Sequence, residues 1–171
     1  MKAINNINTK RRLIVRNQKI TVGLAADHSG YHLKTQLITE LEAAGYTVSD
    51  FGVYEPVNGY DYMNYVVPLA MALAKGAVVR GVVISSCGIG AGIAANKVHG
   101  VRAALITENF SAQHGVEDID MNLMCLDGQV TPSFEQSWSL VKSFLTANFK
   151  EEGKFSQHLS KVSELEKNNK T

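Results

Sequence analysis

The sequence predicts a doubly wound α/β fold, an open sheet of about five parallel strands between two layers of helices, followed by a C-terminal helical tail. Three observations predict it. Short apolar runs alternate with amphipathic stretches, glycine recurs at the junctions between them, and Gly81-Val82-Val83-Ile84 is apolar without a break, as a strand covered on both faces must be.

Residues 20–25 form the first strand, and residues 30–45 a helix that sets Leu33, Leu37, Ile38 and Leu41 on one face before Gly45 stops it. Residues 46–51 make a second strand and 55–61 a loop. Residues 62–75 make an alanine-rich helix in which Pro68 is tolerable only near the first turns, and Gly76 ends it. The strand ending at Ile84 leads through a glycine loop into a short helix reaching Lys97. Strand 102–106, helix 110–119, strand 122–126 and helix 133–149 repeat the rhythm and complete a Rossmann-like order. In such sheets ligands bind beyond the carboxyl ends of the strands near a switch in strand order, which singles out the loops after Ala25, Ile84, Ile106 and Leu126. In the last segment Phe155, Leu159, Val162 and Leu165 recur at helical spacing, and an amphipathic helix of this kind requires a surface to pack on. The chain thus divides into a basic extension at 1–19, an α/β domain at 20–150 and a helical tail at 151–171 expected at a dimer interface.

Composition narrows the function. At 171 residues with 45% apolar and 19% charged residues, the chain fits one domain with a real core. Lys2, Lys10, Arg11, Arg12, Arg16 and Lys19 precede residue 20 with no Asp or Glu among them, so the remainder is acidic although the net charge is +1. An acidic body argues against a nucleic-acid surface, which needs Lys and Arg clustered on the folded domain. The leader reads as a disordered extension, with an upstream start codon or a basic docking tail as alternatives. No stretch reaches the roughly 18 apolar residues of a membrane span. Two cysteines, Cys87 and Cys125, allow at most one bridge and match no zinc spacing, so no metal site is expected and a reducing, cytoplasmic setting fits.

Three constellations could carry chemistry. Asp27-His28-Ser29-Gly30 places a carboxylate and an imidazole where the first strand turns into its helix, although Asp27 could equally be a helix cap. Ser85-Ser86-Cys87-Gly88-Ile89-Gly90-Ala91-Gly92 follows the most apolar strand, and the N–H groups of Gly88, Gly90 and Gly92 could converge on an anion or an enolate oxygen. It matches neither G-x-G-x-x-G nor a loop ending in G-K-[ST], so nucleotide binding is disfavoured. Cys87 lies beside these donors, where a thiolate would be favoured, or it is a small packed residue; Cys125 inside a strand is the latter. His114 and Asp118 stand four apart on one helical face, a candidate proton relay or a surface pair.

With these residues placed, the chain resembles the family that unites ribose-5-phosphate isomerase B with the galactose-6-phosphate isomerase subunits. The likeness is carried by Asp27-His28-Ser29-Gly30-Tyr31 with Leu33-Lys34, by Asp61-Tyr62, by Gly88-Ile89-Gly90 with Ala94-Ala95-Asn96-Lys97, and by Gly100-Val101-Arg102-Ala103-Ala104. Ser111-Ala112-Gln113 and Asn122 add to it. The resemblance implies a dimer that builds two sites from both subunits. It implies a sugar phosphate interconverted between aldose and ketose through a cis-enediol, with no metal or organic cofactor. Asp27 and His28 match the family's substrate-binding pair, and Asn96 and Arg102 are placed beside them as substrate contacts.

The family's base is a cysteine opening C-G-T-G-x-G. In a gapless register it falls on Ser85; shifting the loop by two residues puts it on Cys87. The shifted reading is preferred, because a serine hydroxyl is too weakly acidic to serve as a base without a partner. A glutamate used in another branch would fall on Ala91. The ring-opening histidine of an H-N pair falls on Asp118-Ile119, which leaves Asp118 or His114 as the acid. The phosphate-binding arginines fall on Lys154 and His158, which cannot reproduce a bidentate guanidinium fork. Three outcomes stay open: a substrate other than ribose 5-phosphate, a phosphate held differently, or a subunit inactive alone, including a non-catalytic sugar-binding or regulatory paralogue.

Overall fold

The computed structural model describes residues 20–55, 61–130 and 133–168. The expectations for residues 1–19 and for most of the loop at 55–61 lie outside them. Five parallel strands, β1 (Thr21–Ala26), β2 (Thr47–Asp50), β3 (Arg80–Ser85), β4 (Ala103–Leu105) and β5 (Leu123–Asp127), form one sheet in the order β2-β1-β3-β5-β4. Helices α1 (Tyr31–Ala43), α2 (Met63–Lys75), α3 (Ile89–Ala95), α4 (Asn109–Ile119), α5 (Phe134–Thr146) and α6 (Gly153–Asn168) alternate with and follow the strands. The fold class and the order of elements are as the sequence predicts. Among the described residues no helix is long and apolar enough to cross a membrane.

Period-two alternation distributes the core over both faces of the sheet. Val82 and Ile84 of β3 join Leu37 and Leu41 of α1 and Val141 and Phe144 of α5 on one face. Val83, Leu123 and Cys125 join Leu69 and Leu73 of α2 and Ala91 of α3 on the other. Helix ends follow local chemistry. Gly76 closes α2 in the left-handed region (φ 73°), and Ser133 starts α5 by donating its backbone N–H to Gln136 Oε1 at 3.1 Å. Pro68 lies inside α2, which continues through it, because neighbouring turns and the apolar face on Val66, Leu69 and Leu73 hold the helix despite one missing N–H.

One buried charge was hidden in the apolar face of α1. Lys34 is only 1% exposed, and its Nζ meets Asp50 Oδ1 and Oδ2 at 2.5 and 2.6 Å. Asp50 also accepts from Gly52 N–H at 2.9 Å. This pair fixes the segment after β2, whose Gly52 carbonyl and Val53 N–H bond to Ala26. The end of β1, where the site begins, is thereby braced from the side.

Candidate active site

The chain reverses its direction of strand addition at β1, since β2 lies on one side of it and β3 on the other. A crevice therefore opens beyond the carboxyl ends of β1 and β3, where the strand order switches. Asp27 and His28 leave β1 into this crevice; Ser86 and Cys87 leave β3 beside them.

The two loops are joined by one carboxylate. Asp27 is 6% exposed. Its Oδ1 accepts from Ser29 N–H (2.9 Å), Ser29 Oγ–H (2.6 Å) and Gly30 N–H (3.3 Å). Its Oδ2 accepts from Ser86 N–H (2.8 Å) and Ser86 Oγ–H (2.9 Å). Burial opposes its ionisation, but the hydroxyl and amide donors of Ser29 and Ser86 outweigh that cost and hold its carboxyl below the ordinary range. Asp27 is thus a helix cap that also staples β1 to β3. In this chain five donors already meet the roughly four acceptor sites of that carboxylate.

His28 is exposed at the crevice mouth. Ser85, the last residue of β3, is 5% exposed, whereas Cys87 two residues on is exposed. Gly88 turns the chain in the left-handed region (φ 67°), where a Cβ would also meet Leu105 Cδ1 at 2.6 Å. A Cβ on Gly90 would lie 2.7 Å from the Tyr62 hydroxyl, so Tyr62 closes over this turn. The backbone N–H groups of Gly88 and Gly90 remain candidates for an oxyanion. That of Gly92 does not, for it donates to the Gly88 carbonyl at 3.1 Å once α3 has formed.

Other sequence-derived candidates lie elsewhere in a single chain. Asn96 bridges α3 to β4, with Oδ1 accepting from Ala103 N–H (2.7 Å) and Nδ2 donating to the Ala103 carbonyl (2.9 Å). Arg102 precedes β4 at the opposite end of the sheet, donating to the Asp120 carboxylate (2.8 Å), the Asp120 carbonyl (2.6 Å) and the Gly100 carbonyl (3.2 Å). Helix α4 runs back from the carboxyl ends, so Asp118 in its last turn lies away from the crevice, 3.8 Å from Lys150. His114 stacks on Phe110 with ring centroids 3.8 Å apart and faces a groove of about 650 Å³ formed by β4, α4 and α6, with Leu105, Val162 and Leu165 in its walls. Lys154 and His158 are exposed on α6. That helix is fastened at its far end by Glu166, which accepts from Gly100 N–H at 2.9 Å and pairs with His99 at 3.6 Å. One chain therefore unites Asp27, His28, Ser85, Cys87, Gly88 and Gly90, and keeps Asp118, Asn96, Arg102, Lys154 and His158 apart from them.

Ser86 and Tyr62 were not singled out individually for the site from sequence. Ser86 could have been found by asking what a carboxylate after one strand meets at the end of the neighbouring strand, but that neighbour is set by sheet order. Among the described residues, no group of three or more His, Cys, Asp or Glu side chains could hold a metal ion.

The comparisons bear on the fold and the family. The family model described as Ribose/Galactose Isomerase matches residues 22–165. Ribose-5-phosphate isomerase B of Escherichia coli (strain K12) is 31% identical over 145 residues, covering 85% of this chain and 95% of the relative. The structure of Clostridium thermocellum ribose-5-phosphate isomerase B superposes with a TM-score of 0.82 at 34% identity, over 87% of this chain and 99% of that one. Ribose-5-phosphate isomerase B from Mycoplasma genitalium with bound ribulose-5-phosphate gives 0.83 at 28% identity, over 88% and 99%. A family match over most of the chain and a shared fold lead to one conclusion: this chain belongs to the ribose/galactose isomerase family, a family of sugar-phosphate isomerases.

Proposed function

We propose that this chain interconverts the aldose and ketose forms of a small sugar phosphate through a cis-enediol, without a cofactor. The observation that supports it most is the Asp27 staple, which holds the His28 turn and the Cys87-Gly88-Ile89-Gly90 turn against each other at the switch in strand order. His28 would hold sugar hydroxyls. The Cys87 thiolate would take the proton from the carbon beside the carbonyl and return it to the neighbouring carbon. The N–H groups of Gly88 and Gly90 would meet the enediolate oxygen as charge develops, a contribution commonly of about 3 to 4 kcal/mol per donor. The two free thiols, Cys87 and Cys125, fit a reducing cytoplasmic setting.

The ring-opening acid and the phosphate clamp would come from a second copy of the chain, since Asp118, Lys154 and His158 stand away from their own crevice. The homodimer reading is supported by exposed Phe110 (64%) and Leu165 (64%) around the groove beside β4. The protein should scatter light as at least a dimer at micromolar concentration; a monomer would remove the shared site.

The test of the activity is proton exchange at the carbon next to the carbonyl, followed by NMR in deuterated water. Ribose 5-phosphate, ribulose 5-phosphate, hexose phosphates and the free sugars form the panel. Exchange with a pentose or hexose phosphate supports the isomerase. Binding without exchange supports a sugar-binding paralogue or a subunit that needs a different partner, and neither binding nor exchange overturns the reading.

A further inference from the structure

We propose that Ser86 reads a sugar hydroxyl in the crevice, acting only as a hydrogen-bond acceptor, and that Asp27 is the positioning residue that keeps it so. This rests on the sugar-phosphate reading above. The direction of each hydrogen bond is forced. Asp27 is ionised and has no proton to give, so the 2.9 Å contact between Ser86 Oγ and Asp27 Oδ2 exists only with the serine hydroxyl as donor. A hydroxyl has one proton, and here it is spent. The backbone N–H of the same residue donates to the same oxygen at 2.8 Å and holds the Ser86 side chain within reach of it.

What Ser86 has left for a ligand is its lone pairs. It is partly exposed and lies between Asp27 and the exposed Cys87, so those lone pairs are the part of it that a bound molecule can meet. Ser29 is in the same electronic state, donating to Asp27 Oδ1 at 2.6 Å, but Gly128 closes over it: a Cβ at Gly128 would lie 2.6 Å from Ser29 Oγ. Of the two serines on this carboxylate, Ser86 is therefore the one a ligand can use. An acceptor selects for donors. A sugar hydroxyl satisfies it, whereas a carbonyl, an ether oxygen or a phosphate oxygen placed there would face it lone pair to lone pair.

The experiment is calorimetric titration of ribose 5-phosphate, ribulose 5-phosphate and a series of ribose 5-phosphates in which each hydroxyl in turn is replaced by fluorine, which accepts weakly and cannot donate. Wild type, Ser86→Ala and Ser86→Thr are compared. Ser86→Ala is expected to weaken the parent sugar about two- to tenfold, the range of a single neutral hydrogen bond, and Ser86→Thr to restore part of that. One fluorosugar should lose a similar factor against wild type and nothing further against Ser86→Ala. In the ligand-free protein, carbon-detected NMR should show the Asp27 carboxyl ionising at higher pH in Ser86→Ala than in wild type. Fluorosugars that all bind wild type as well as the parent, or an Asp27 ionisation indifferent to Ser86→Ala, would overturn the assignment. Failure of both pentose phosphates to bind wild type would overturn the pentose-phosphate reading of the crevice itself, a distinct result.

Discussion

Cys87→Ala is expected to lower proton exchange by about 10²- to 10⁴-fold, the usual contribution of a positioned general base, while sugar-phosphate affinity changes little. The thiolate is needed only as the carbon–hydrogen bond breaks, so binding and chemistry should separate. Ser85→Ala is the matched control; Ser85 is 5% exposed at the end of β3 and is expected to leave exchange within a few-fold. The opposite result, with Ser85→Ala inactive and Cys87→Ala active, would restore the gapless register and remove the thiol from the mechanism. Alkylation should stop exchange. Alkylation can be read cleanly because burial pushes the Cys125 thiol up to about 12, leaving it protonated and enclosed at neutral pH. One equivalent of iodoacetamide should enter the folded protein, at Cys87, and bound sugar should slow it.

Asp27→Ala should be the most damaging single change to the site's architecture. It leaves the N–H groups of Ser29, Gly30 and Ser86 and two serine hydroxyls without their shared acceptor. Even with water replacing some of these bonds, a loss of about 2 to 4 kcal/mol in urea unfolding is expected, together with loss of sugar binding because both loops come free. Asp27→Asn should not rescue it, since an amide group turns a donor toward donors. The pH dependence gives an independent check. The folded-state pKa of Asp27 is lowered, so its stabilisation is fully present above the ordinary carboxylate value and is lost as pH falls through the lowered one. The stability gap between wild type and Asp27→Ala should therefore narrow in acid; a gap unchanged down to acid unfolding would show that the carboxylate's charge contributes nothing.

The order of elements was legible because each obeys local rules: unbroken apolar residues in β3, an amphipathic α1, glycines after α1 and α2. Adjacency was not. Asp27 and Ser86 are 59 positions apart, and they meet only because β3, not β2 alone, flanks β1. Seen along the chain, Asp27 offered a cap or a ligand as alternatives, and the cap reading captured just the bonds to Ser29 and Gly30 that are local. Asn96 and Arg102 show another limit of the sequence: within one chain their polar atoms go to Ala103, Gly100 and Asp120, contacts that no local pattern displays. Lys34 escaped notice because its partner Asp50 lies 16 residues away, and nothing local distinguishes a buried lysine from a solvated one.

The bridge from Asn96 to Ala103 has a consequence for what can grow on this molecule. β4 is an edge strand, and an open edge is a template on which another chain can hydrogen-bond without limit. In β4 the polar groups of Ala104 pair inward with β5, while those of Ala103 turn outward. The Asn96 amide has the same donor and acceptor as a peptide group, and it occupies both of Ala103's outward bonds as a neighbouring strand would. What remains of the rim is too short to recruit a foreign strand, so runaway cross-β growth is blocked at this edge of the sheet. Any second copy that settles there must do so through side chains, in a contact that closes on itself and stops.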